Sequence, residues 1–477
     1  MRSSFVNRFL RLQRCPLRLR RRWLTTSPSS HSAASVLQRA TTANGVALST
    51  SSPEAAKAYD LTVECLLGLK GDPFLGLNVA KKYDPEFGMP HILEGMLKMS
   101  STGVPFLNSP IATAKKFDST NEVLKCIEKA EKCVLDDRET HHLNALKSWS
   151  NGRLHEATHH LELALLINPR DLVATRHAHD TYFFIGDAVN LRDSIARVLP
   201  SHSPGESGRS RLLGMFGFGL EECNEYGRSR KASHECLDEI PSDIWGTHAL
   251  AHCFEMNDDI ESGIDFLSST EKDWKHCDWL SVHNYWHWCL YLTRLEKYAQ
   301  IFDLYDEKIN PEKSELMLDI VDASSLLWRL SLRGIDVGNR WETLSSIASK
   351  FSSTHVTSFN DIHLMMTLCG VGDVDEQNDF LDSLERVVEN EADNSEYAQT
   401  TRRFGLPICK ALQFFVNEDY GQCVKLLLNT RQGLHKIGGS HAQRDVFYQT
   451  LLESSRRMDN TNLTQSLENE KNRAVLV

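Results

Sequence analysis

Two short segments each place two histidines one helical turn apart, and one of these segments adds a carboxylate. HALAHCFEM carries His248, His252 and Glu255, and offsets of four and seven residues put all three on one face of a helix. HNYWHW repeats the four-residue spacing with His283 and His287. Neutral imidazole nitrogens and a carboxylate oxygen suit a divalent transition metal, and they equally suit a general base with its orienting partner. The catalytic candidates are therefore His252, Glu255, His283 and His287.

Other polar residues of helical segments are candidates for contacts to a substrate. RHAHD and FNDIH supply imidazoles and carboxylates to an earlier and a later helix. In IGGSHAQRDVF, Ser440 is a suitable helix N-cap, and the Arg-Asp pair that follows either forms internal salt bridges or presents a guanidinium to a carboxylate or phosphate. In LDIVDASSLLWRL, Asp319, Asp322 and Arg329 must be paired if they are buried. The substrate-binding candidates are Arg176, His179, Asp180, His248, Asp361, His363, Arg444 and Asp445.

Three interpretations of the histidines remain open at this level. The first is a metal site, although H-E-x-x-H is absent, because Glu255 follows His252 by three residues instead of lying between two histidines. The second is a metal-free catalytic or ligand-binding pocket. The third is purely structural, because His283 and His287 stand beside Trp286 in a segment where hydrogen-bonded core histidines are common.

The elements that must hold these residues follow a repeated helix pair. The clearest pair spans residues 144–171, NALKSWSNGRLHEATHHLELALLINPRD, with apolar positions at helical spacing on both sides of Gly152. Ala157 and Ala164 let two antiparallel helices approach closely, and Pro169 ends the unit. Glycine followed by alanine after five and twelve residues and by proline after seventeen is the tetratricopeptide pattern.

Turns recur along the chain at close to the 34-residue tetratricopeptide period. After Gly152 the predicted turns lie at Gly186, Asn224, Asp258 and Leu295, at intervals of 34, 38, 34 and 37 residues. We therefore predict an all-α solenoid of tetratricopeptide-type helix pairs that partly closes on itself, because both ends are apolar enough to pack. The predicted regions are a disordered basic leader at 1–53, a helical region at 54–140, the repeats at 141–310, further helical repeats at 311–458 and a polar, frayed tail at 459–477.

Charge is distributed unevenly along the chain. Residues 1–53 contain nine arginines, many serines and no lysine, aspartate or glutamate, a composition typical of a mitochondrial transit peptide. We therefore predict a mitochondrial location, with a cytoplasmic location as the alternative. Removing these nine positive charges from the net charge of −11 leaves −20 on residues 54–477, which argues against nucleic acid as a partner. No run of about 18 apolar residues exists, so no membrane-spanning helix is predicted.

Cysteine spacing and known motifs exclude several other functions. Twelve cysteines are scattered without a C-x-x-C pair, which indicates reduced, buried thiols rather than a disulfide framework or a zinc cluster. The sequence contains neither G-x-x-x-x-G-K-[ST] nor G-x-S-x-G. GMFGFG, residues 214–219, lacks the strand that precedes a dinucleotide-binding loop, so we interpret its glycines as positions of close helix packing.

Several segments taken together resemble a known family. In chain order they are HDTYFFIGD, HALAHCFEM, HNYWHWCLYL, MLDIVDASSLLWRL and GGSHAQRDVF. Between Ala55 and Leu452 the chain resembles the tetratricopeptide repeat protein 38 family. The resemblance implies an all-helical repeat protein whose biochemical role is poorly defined and whose members are mostly cytosolic.

Two functional hypotheses follow. As a scaffold, the protein would bind a protein or peptide partner, or a ligand, on the concave face of its repeats, which would form an open groove. As a hydrolase-like enzyme, the alternative, it would bind a small anionic molecule in a narrow pocket where the histidines converge. One histidine would then act as the base, Arg444 would hold the anionic group, and a divalent metal is a possible cofactor.

Overall fold

The computed structural model describes residues 39–107, 118–310, 314, 316–390 and 395–474, and most of these residues lie in helices. Within this part of the chain the only β feature is an isolated bridge between Thr41 and Ala47. The all-α prediction is confirmed. The helices are α1 (Pro53–Gly68), α2 (Pro73–Tyr83), α3 (Gly88–Ser100), α4 (Asp118–Ala130), α5 (Asp137–Ser150), α6 (Leu154–Ile167), α7 (Leu172–Ile185), α8 (Ala188–Val198), α9 (Ser207–Glu221), α10 (Tyr226–Glu239), α11 (Ile244–Met256), α12 (Ile260–Trp274), α13 (Ser281–Arg294), α14 (Tyr298–Leu304), α15 (Met317–Leu332), α16 (Arg340–Ala348), α17 (Ser358–Val371), α18 (Val374–Asn390), α19 (Glu396–Thr400), α20 (Leu406–Val416), α21 (Tyr420–Thr430), α22 (His441–Arg457) and α23 (Thr461–Ala474).

From α5 onward the helices form antiparallel pairs, and the turn within each pair contains a residue with positive φ. A left-handed residue reverses the chain within a few positions, and glycine, asparagine and aspartate adopt it most readily. Four of the predicted turns coincide with such residues, and the fifth lies at Glu296, one residue after the predicted Leu295. In the described part of the chain, the intra-pair turn residues, with φ between 54° and 86°, are Gly152, Gly186, Asn224, Asp258, Glu296, Gly334, Gly372, Glu418 and Asp459.

The first helices of these pairs form an inner layer. Consecutive first helices from α9 to α17 pack side by side, and α20 continues the layer. α22 lies across this layer and contacts α11 and α15, while the 3₁₀ segment Arg431–Ile437 contacts α7. The approach is close at Gly186, where an added Cβ would lie 1.7 Å from the carbonyl oxygen of His435, so only glycine fits there. The solenoid thus closes on itself, as the sequence predicted.

Both ends of the described chain are more ordered than the sequence suggested. Residues 39–52 pack on the helical body, with Leu48 buried and the Ser49 N–H donating to Glu139 at 2.9 Å. The predicted disordered leader therefore does not reach residue 53. Its remaining part, 1–38, lies outside the described residues, and the mitochondrial location stays a prediction. The polar tail forms helix α23 instead of fraying, held by the Tyr448 hydroxyl, which donates to the Leu467 carbonyl at 2.6 Å.

The described cysteines and the helix lengths are the remaining general features of the fold. All eleven described cysteines are free thiols, and most of them are buried. Among the described residues, no helix combines the length and the apolar character needed to cross a membrane.

Candidate functional site

Four imidazole rings from two neighbouring helices meet inside the inner layer. α11 supplies His248 and His252, and α13 supplies His283 and His287. Their ring centroids lie 4.3 to 6.4 Å apart, and each residue is at most 4% exposed. One nitrogen from each ring lies within 4.8 Å of one nitrogen from every other ring. We call these four residues the histidine cluster.

Hydrogen bonds fix the two helices that carry the rings. The Asp243 side chain caps the start of α11 by accepting from a backbone N–H at 2.9 Å. The Tyr291 hydroxyl donates to the Ala251 carbonyl at 2.6 Å, which joins α13 to α11. Trp286 Nε1 donates to Ser325 Oγ at 3.0 Å, which joins α13 to α15. Because the rings on each helix are four residues apart, both rings then point to the same side.

Two of the rings are hydrogen-bonded through their Nδ1 atoms to carboxylates, one buried and one partly exposed. His283 Nδ1 lies 2.8 Å from Asp322 of α15, and His287 Nδ1 lies 2.9 Å from Glu255 of α11. These contacts favour a proton on Nδ1 and leave the Nε2 lone pair for the inside of the cluster. His287 Nε2 has no hydrogen-bond partner among the described residues. Glu255, a catalytic candidate from the sequence, thus supports a ring.

The other two rings contact each other, with His248 Nε2 and His252 Nε2 3.0 Å apart. A third carboxylate, Glu221 of α9, lies 3.4 Å from His252 Nδ1 without hydrogen-bond geometry, and neither of its oxygens has a hydrogen-bond partner among the described residues. His248 Nδ1 likewise has no partner in the described part of the chain. The cluster therefore contains three rings backed by carboxylates and one ring, His248, without such a partner.

Burial determines the charge state of the cluster. It lowers the pKa values of His248, His252 and His287 far below the usual range, and the neighbouring rings lower them further. These rings are therefore neutral near pH 7, with lone pairs available. Burial also raises the pKa of Glu255 to about 7 and that of Glu221 well above its usual range. Neutral imidazoles beside carboxyl groups of raised pKa form an arrangement in which a bound cation would favour the ionised carboxylates.

The histidine cluster forms part of the wall of a cavity of about 470 Å³. His248 and His283 line this cavity, while His252 and His287 lie behind them and are fully buried. Its volume falls within the range of small-molecule sites, about 300–1,000 Å³. The aromatic side chains in its wall are Phe74, Phe183, Phe184, Phe218, Trp245, Trp279 and Phe359.

A second polar group in the cavity wall comes from α7. Arg176 stacks on Trp245, with its guanidinium carbon 4.6 Å from the ring centroid. Its Nε donates to both oxygens of Asp180 at 2.9 Å, and its Nη1 donates to the Leu66 carbonyl at 2.9 Å. His179 also lines the cavity and is 1% exposed, and its nitrogens have no hydrogen-bond partner among the described residues. The structure thus brings the α7 candidates to the same cavity as the histidine cluster.

Two predicted residues on α17 lie outside the cavity wall. Asp361 is buried, lies 2.9 Å from His355 Nδ1 and accepts from the Tyr397 hydroxyl at 2.7 Å. His363 is buried as well, and its Nδ1 lies 2.7 Å from the Phe359 carbonyl. Both side chains connect neighbouring segments of the core and do not face the cavity.

Arg444 and Asp445 on α22 are also absent from the cavity wall. Arg444 donates to the Gly439 carbonyl and lies 3.4 Å from Glu222, beside a neighbouring hollow of about 760 Å³. Asp445 accepts from Lys471 of α23 at 2.9 Å. Each therefore forms an ion pair within the protein, which is one of the two alternatives that the sequence left open.

The sequence analysis missed one carboxylate of the site and left another unassigned. Glu221 stands in GLEEC, shortly before the predicted turn at Asn224, where an acidic residue usually faces solvent. Glu221 lies three residues after Phe218 and therefore on the same helical face as this apolar side chain. That spacing was the signal that Glu221 faces the core. Asp322 was recognised as a group that needs a partner if buried, but the sequence could not identify His283 as that partner.

Comparisons with known proteins give only matches of low overall structural similarity. No family model matches the chain. A chain in the structure of Naa15/Naa10 bound to HypK-THB is similar over 88% of this chain and 64% of that chain, with 12% identity and a TM-score of 0.24. The TPR domain of P58(IPK) is similar over 74% of this chain and 96% of that domain, with 12% identity and a TM-score of 0.18. This chain thus spans less than two thirds of the first of these chains. At these TM-scores neither similarity carries an argument about function.

Proposed function

We propose that the protein is a metal-dependent enzyme that hydrolyses a small molecule in the cavity beside the histidine cluster. The observation that carries this proposal is the convergence of four buried imidazoles, three of which have a carboxylate behind them. Carboxylates behind metal-binding histidines orient the rings and make them more basic, and they recur in metal sites for that reason.

The separations within the cluster are compatible with one metal ion. Two nitrogens bound to a tetrahedral zinc ion at about 2.0–2.1 Å lie about 3.4 Å apart. The 3.0 Å between His248 Nε2 and His252 Nε2 and the 4.8 Å limit for the whole cluster bracket this value. Small rotations of the rings would therefore bring the donors onto one ion. Imidazole suits zinc, iron, copper and nickel, and zinc is our choice for hydrolysis.

The four rings divide into two roles. We assign metal binding to His252, His283 and His287, because each has a carboxylate behind it and catalytic zinc sites keep three protein ligands. His248 lacks a carboxylate and lines the cavity, so we assign it the role of general base. The fourth metal position would then face the cavity and hold a water molecule.

The local charge balance also supports a cation in the cluster. Glu221, Glu255 and Asp322 are at most partly exposed, and burial raises the pKa of each carboxyl. Arg329 is a nearby buried cation, but its hydrogen bonds go to the Ser325 carbonyl and hydroxyl and to backbone carbonyls of α22. A divalent ion would supply the positive charge that these carboxylates lack.

The proposed reaction is the hydrolysis of an ester or amide. His252, His283 and His287 would hold the zinc ion, which would lower the pKa of a bound water to about 7, and His248 would accept the proton that this water loses. The water oxygen forms a bond to the carbonyl carbon of the substrate, and the carbon–oxygen or carbon–nitrogen bond of the leaving group breaks. His248 then returns the proton to the leaving oxygen or nitrogen, which leaves a carboxylic acid and an alcohol or amine.

The scaffold hypothesis from the sequence stays a prediction beside this one. It called for an open groove, whereas His248 and His283 line a cavity whose wall includes Ile437 of the 3₁₀ segment and Gln443 of α22, which favours the enzyme hypothesis. We also propose that the chain belongs to the tetratricopeptide repeat protein 38 family, which it resembles in the segments that carry the histidine cluster.

Metal content is the first test. The protein is purified without a polyhistidine tag or chelator, and metals are measured by inductively coupled plasma mass spectrometry. We expect about one zinc, iron, copper or nickel ion per chain in the wild type, and almost none in His287→Ala. The matched control is His363→Phe, which changes a buried histidine outside the cluster. Far-ultraviolet circular dichroism confirms that each variant is folded.

The second test separates metal binding from catalysis. His248→Gln should keep the metal, and it should lose at least about 100-fold of the turnover of p-nitrophenyl phenylacetate, the size of a general-base contribution. A wild-type protein that binds none of the four metals at micromolar concentration would overturn the proposal. So would equal metal content in the wild type and folded His287→Ala.

A further inference from the structure

The α7 wall of the cavity offers hydrogen-bonding groups that the histidine cluster does not use. Arg176 Nη2 makes no hydrogen bond to the described residues, although the other guanidinium nitrogens do. His179 is neutral, because burial lowers its pKa to about 3. The Leu191 carbonyl raises the pKa of His179 slightly, but it does not form a hydrogen bond to the ring. Both ring nitrogens are therefore without a hydrogen-bond partner among the described residues. Buried polar atoms without partners are rare, and both ring nitrogens of His179 are of this kind. His179 and Arg176 both line the cavity.

The cations of the cavity wall are already paired. Arg176 forms an ion pair with Asp180, because its Nε donates to both carboxylate oxygens. Lys98, which also lines the cavity, contacts both Glu94 and Glu122. The remaining wall is mainly aromatic and aliphatic, and burying an unpaired anion there would be costly. The wall therefore favours an uncharged ligand, in contrast to the anionic substrate expected from the sequence.

The rings of Phe218 and Trp245 lie between the polar side chains of α7, Arg176 and His179, and the histidine cluster. The Phe218 ring lies 6.1 Å from the ring of His179 and 4.8 Å from that of His248, measured between centroids. The Trp245 ring lies 5.6 Å from His179 and 6.4 Å from His248. A ligand that packs an aromatic group against these two rings can therefore reach both polar regions at once.

Resting on the proposed function, we propose that the substrate is an uncharged, mainly hydrophobic ester or amide that carries a carboxamide close to the bond that is cleaved. The carboxamide oxygen accepts from Arg176 Nη2, and its N–H donates to Asp180 or to His179. The scissile carbonyl lies at the histidine cluster, and an aromatic or branched side chain packs against Phe218 and Trp245. Hydrolysis adds water across the scissile bond as described above and leaves the carboxamide intact.

A matched series of p-nitrophenyl esters tests this substrate class. N-acetyl-phenylalanine p-nitrophenyl ester carries the neutral carboxamide, 3-phenylpropionic acid p-nitrophenyl ester lacks it, and N-succinyl-phenylalanine p-nitrophenyl ester adds a negative charge. We expect kcat/KM to be at least about tenfold higher for the acetyl ester than for either of the others, because without the neutral carboxamide the buried groups of α7 stay unpaired.

Two variants of α7 link this preference to the cavity wall. His179→Phe should reduce the preference for the acetyl ester to less than about threefold, because the ring loses its hydrogen bond. The control is His177→Phe, which changes a buried histidine on the same helix that is not part of the cavity wall and should keep the preference. His179→Asn retains a donor and an acceptor and serves if the phenylalanine variant does not fold.

Ligand binding distinguishes failure of this inference from failure of the proposed function. N-acetyl-phenylalaninamide is titrated calorimetrically into the wild type and into metal-free His287→Ala, and we expect binding to both. Binding without turnover of any ester would overturn the hydrolase proposal and support the ligand class. Turnover without preference for the acetyl ester, or with preference for the succinyl ester, would overturn the substrate class and support the hydrolase. Absence of both binding and turnover would overturn both proposals.

Discussion

The protein contains two buried groups of histidines and carboxylates that are built in opposite ways. One is the histidine cluster of α11 and α13. The other, which we call the α5 network, consists of Arg138, Glu139, His142 and Asp171 where α5 meets the start of α7. In the α5 network, Asp171 accepts from Arg138, lies 2.7 Å from His142 Nε2 and accepts from two backbone N–H groups of α7. This carboxylate is fully paired.

The pKa of Asp171 shifts in the opposite direction from the pKa values of Glu221 and Glu255, although burial also raises the pKa of Glu139 in the α5 network. Burial alone would raise the pKa of Asp171, but the charges of His142 and Arg138 hold it far below its usual range. In the histidine cluster, burial raises the pKa of Glu255 to about 7 and that of Glu221 well above its usual range, because too little positive charge offsets it.

This contrast separates a structural network from a functional one. Buried polar groups that only stabilise a fold are satisfied by the fold itself, as in the α5 network. In the histidine cluster, by contrast, His248 Nδ1, His252 Nδ1 and His287 Nε2 have no hydrogen-bond partner among the described residues, and we propose that this cluster binds a ligand. The predictions below test whether the two groups differ in this way.

The largest expected effect is the loss of stability on removing a carboxylate from the α5 network. Asp171→Ala should lower the free energy of unfolding by about 3–5 kcal/mol, because the buried Arg138 guanidinium and the buried His142 ring both lose the carboxylate that they share. Glu221→Gln in chelator-treated protein should change stability by less than about 1 kcal/mol or increase it, because that carboxylate has no partner to lose. Urea denaturation followed by circular dichroism measures both. Equal destabilisation by the two substitutions would remove the distinction between the groups.

Metal removal should destabilise the protein through the histidine cluster alone. A metal at 1,000 times its dissociation constant stabilises the folded state by about 4 kcal/mol, so chelation should lower the midpoint of thermal unfolding. Differential scanning calorimetry before and after dialysis against a chelator measures the change. His287→Ala serves as the control and should show no shift, whereas an identical shift in this variant would place the metal elsewhere.

A substitution behind one ring should weaken metal binding without abolishing it. Asp322→Asn should reduce metal affinity about 10- to 100-fold, because the side chain that orients His283 loses its charge. Asp445→Asn on α22 is the matched control, since this carboxylate contacts no ring of the cluster. Competition with a fluorescent zinc chelator gives both affinities. An unchanged affinity in Asp322→Asn would mean that the carboxylates do not support the metal site.

The smallest expected effect is a change in the pH dependence of stability near the α5 network. Burial and the Arg176 and His142 charges lower the pKa of His177 to about 3, whereas its unfolded value is about 6.5. Between these values the unfolded state binds more protons, so the contribution of His177 is complete above about pH 6.5 and is lost as the pH falls towards 3. The contribution of Asp171 to stability is also lost as the pH falls, but only below about pH 4, which is the pKa of an unfolded aspartate.

His177→Met should therefore flatten the fall in stability between pH 6.5 and 4.5 by up to about 1.4 kcal/mol per pH unit. Urea midpoints at several pH values, measured for this variant and the wild type, give the difference. His141→Met, which changes a partly exposed histidine, should leave the slope nearly unchanged. Parallel slopes for His177→Met and the wild type would contradict the assignment of a buried neutral ring.

The sequence predicted the parts of the site that depend on spacing within one helix. His248 and His252 share a face because they are four residues apart, and the same holds for His283 and His287. The sequence does not predict which helices meet, because that depends on the stacking of repeats whose lengths vary between 34 and 38 residues. The contact between Asp322 and His283 arises from that stacking, so no local pattern could reveal it.

The fold was easier to predict than the site because its signals are local and repeated. Asn224, Asp258 and the turn glycines have positive φ, and their residue types predict it because glycine, asparagine and aspartate adopt this conformation most readily. The single displaced turn fell at Glu296, a residue type that seldom adopts this conformation and therefore gave no signal. Arg444 was predicted to bind substrate but pairs with Glu222 instead. The sequence could not show this pairing, because it joins α22 to a residue directly after α9, more than 200 positions away.

The position of α22 has a consequence for the order in which the molecule is made. This helix closes the inner layer, yet it is translated well after α11 and α13. At about 5–20 residues per second, synthesis of the stretch from Arg294 to His441 takes on the order of ten seconds. During that interval the imidazoles of a nascent chain would lie open on a ribosome-bound intermediate. A metal ion other than the proposed one would be able to bind the histidine cluster before α22 packs on the inner layer. A chaperone or metallochaperone would therefore have its largest effect on metal loading at that stage.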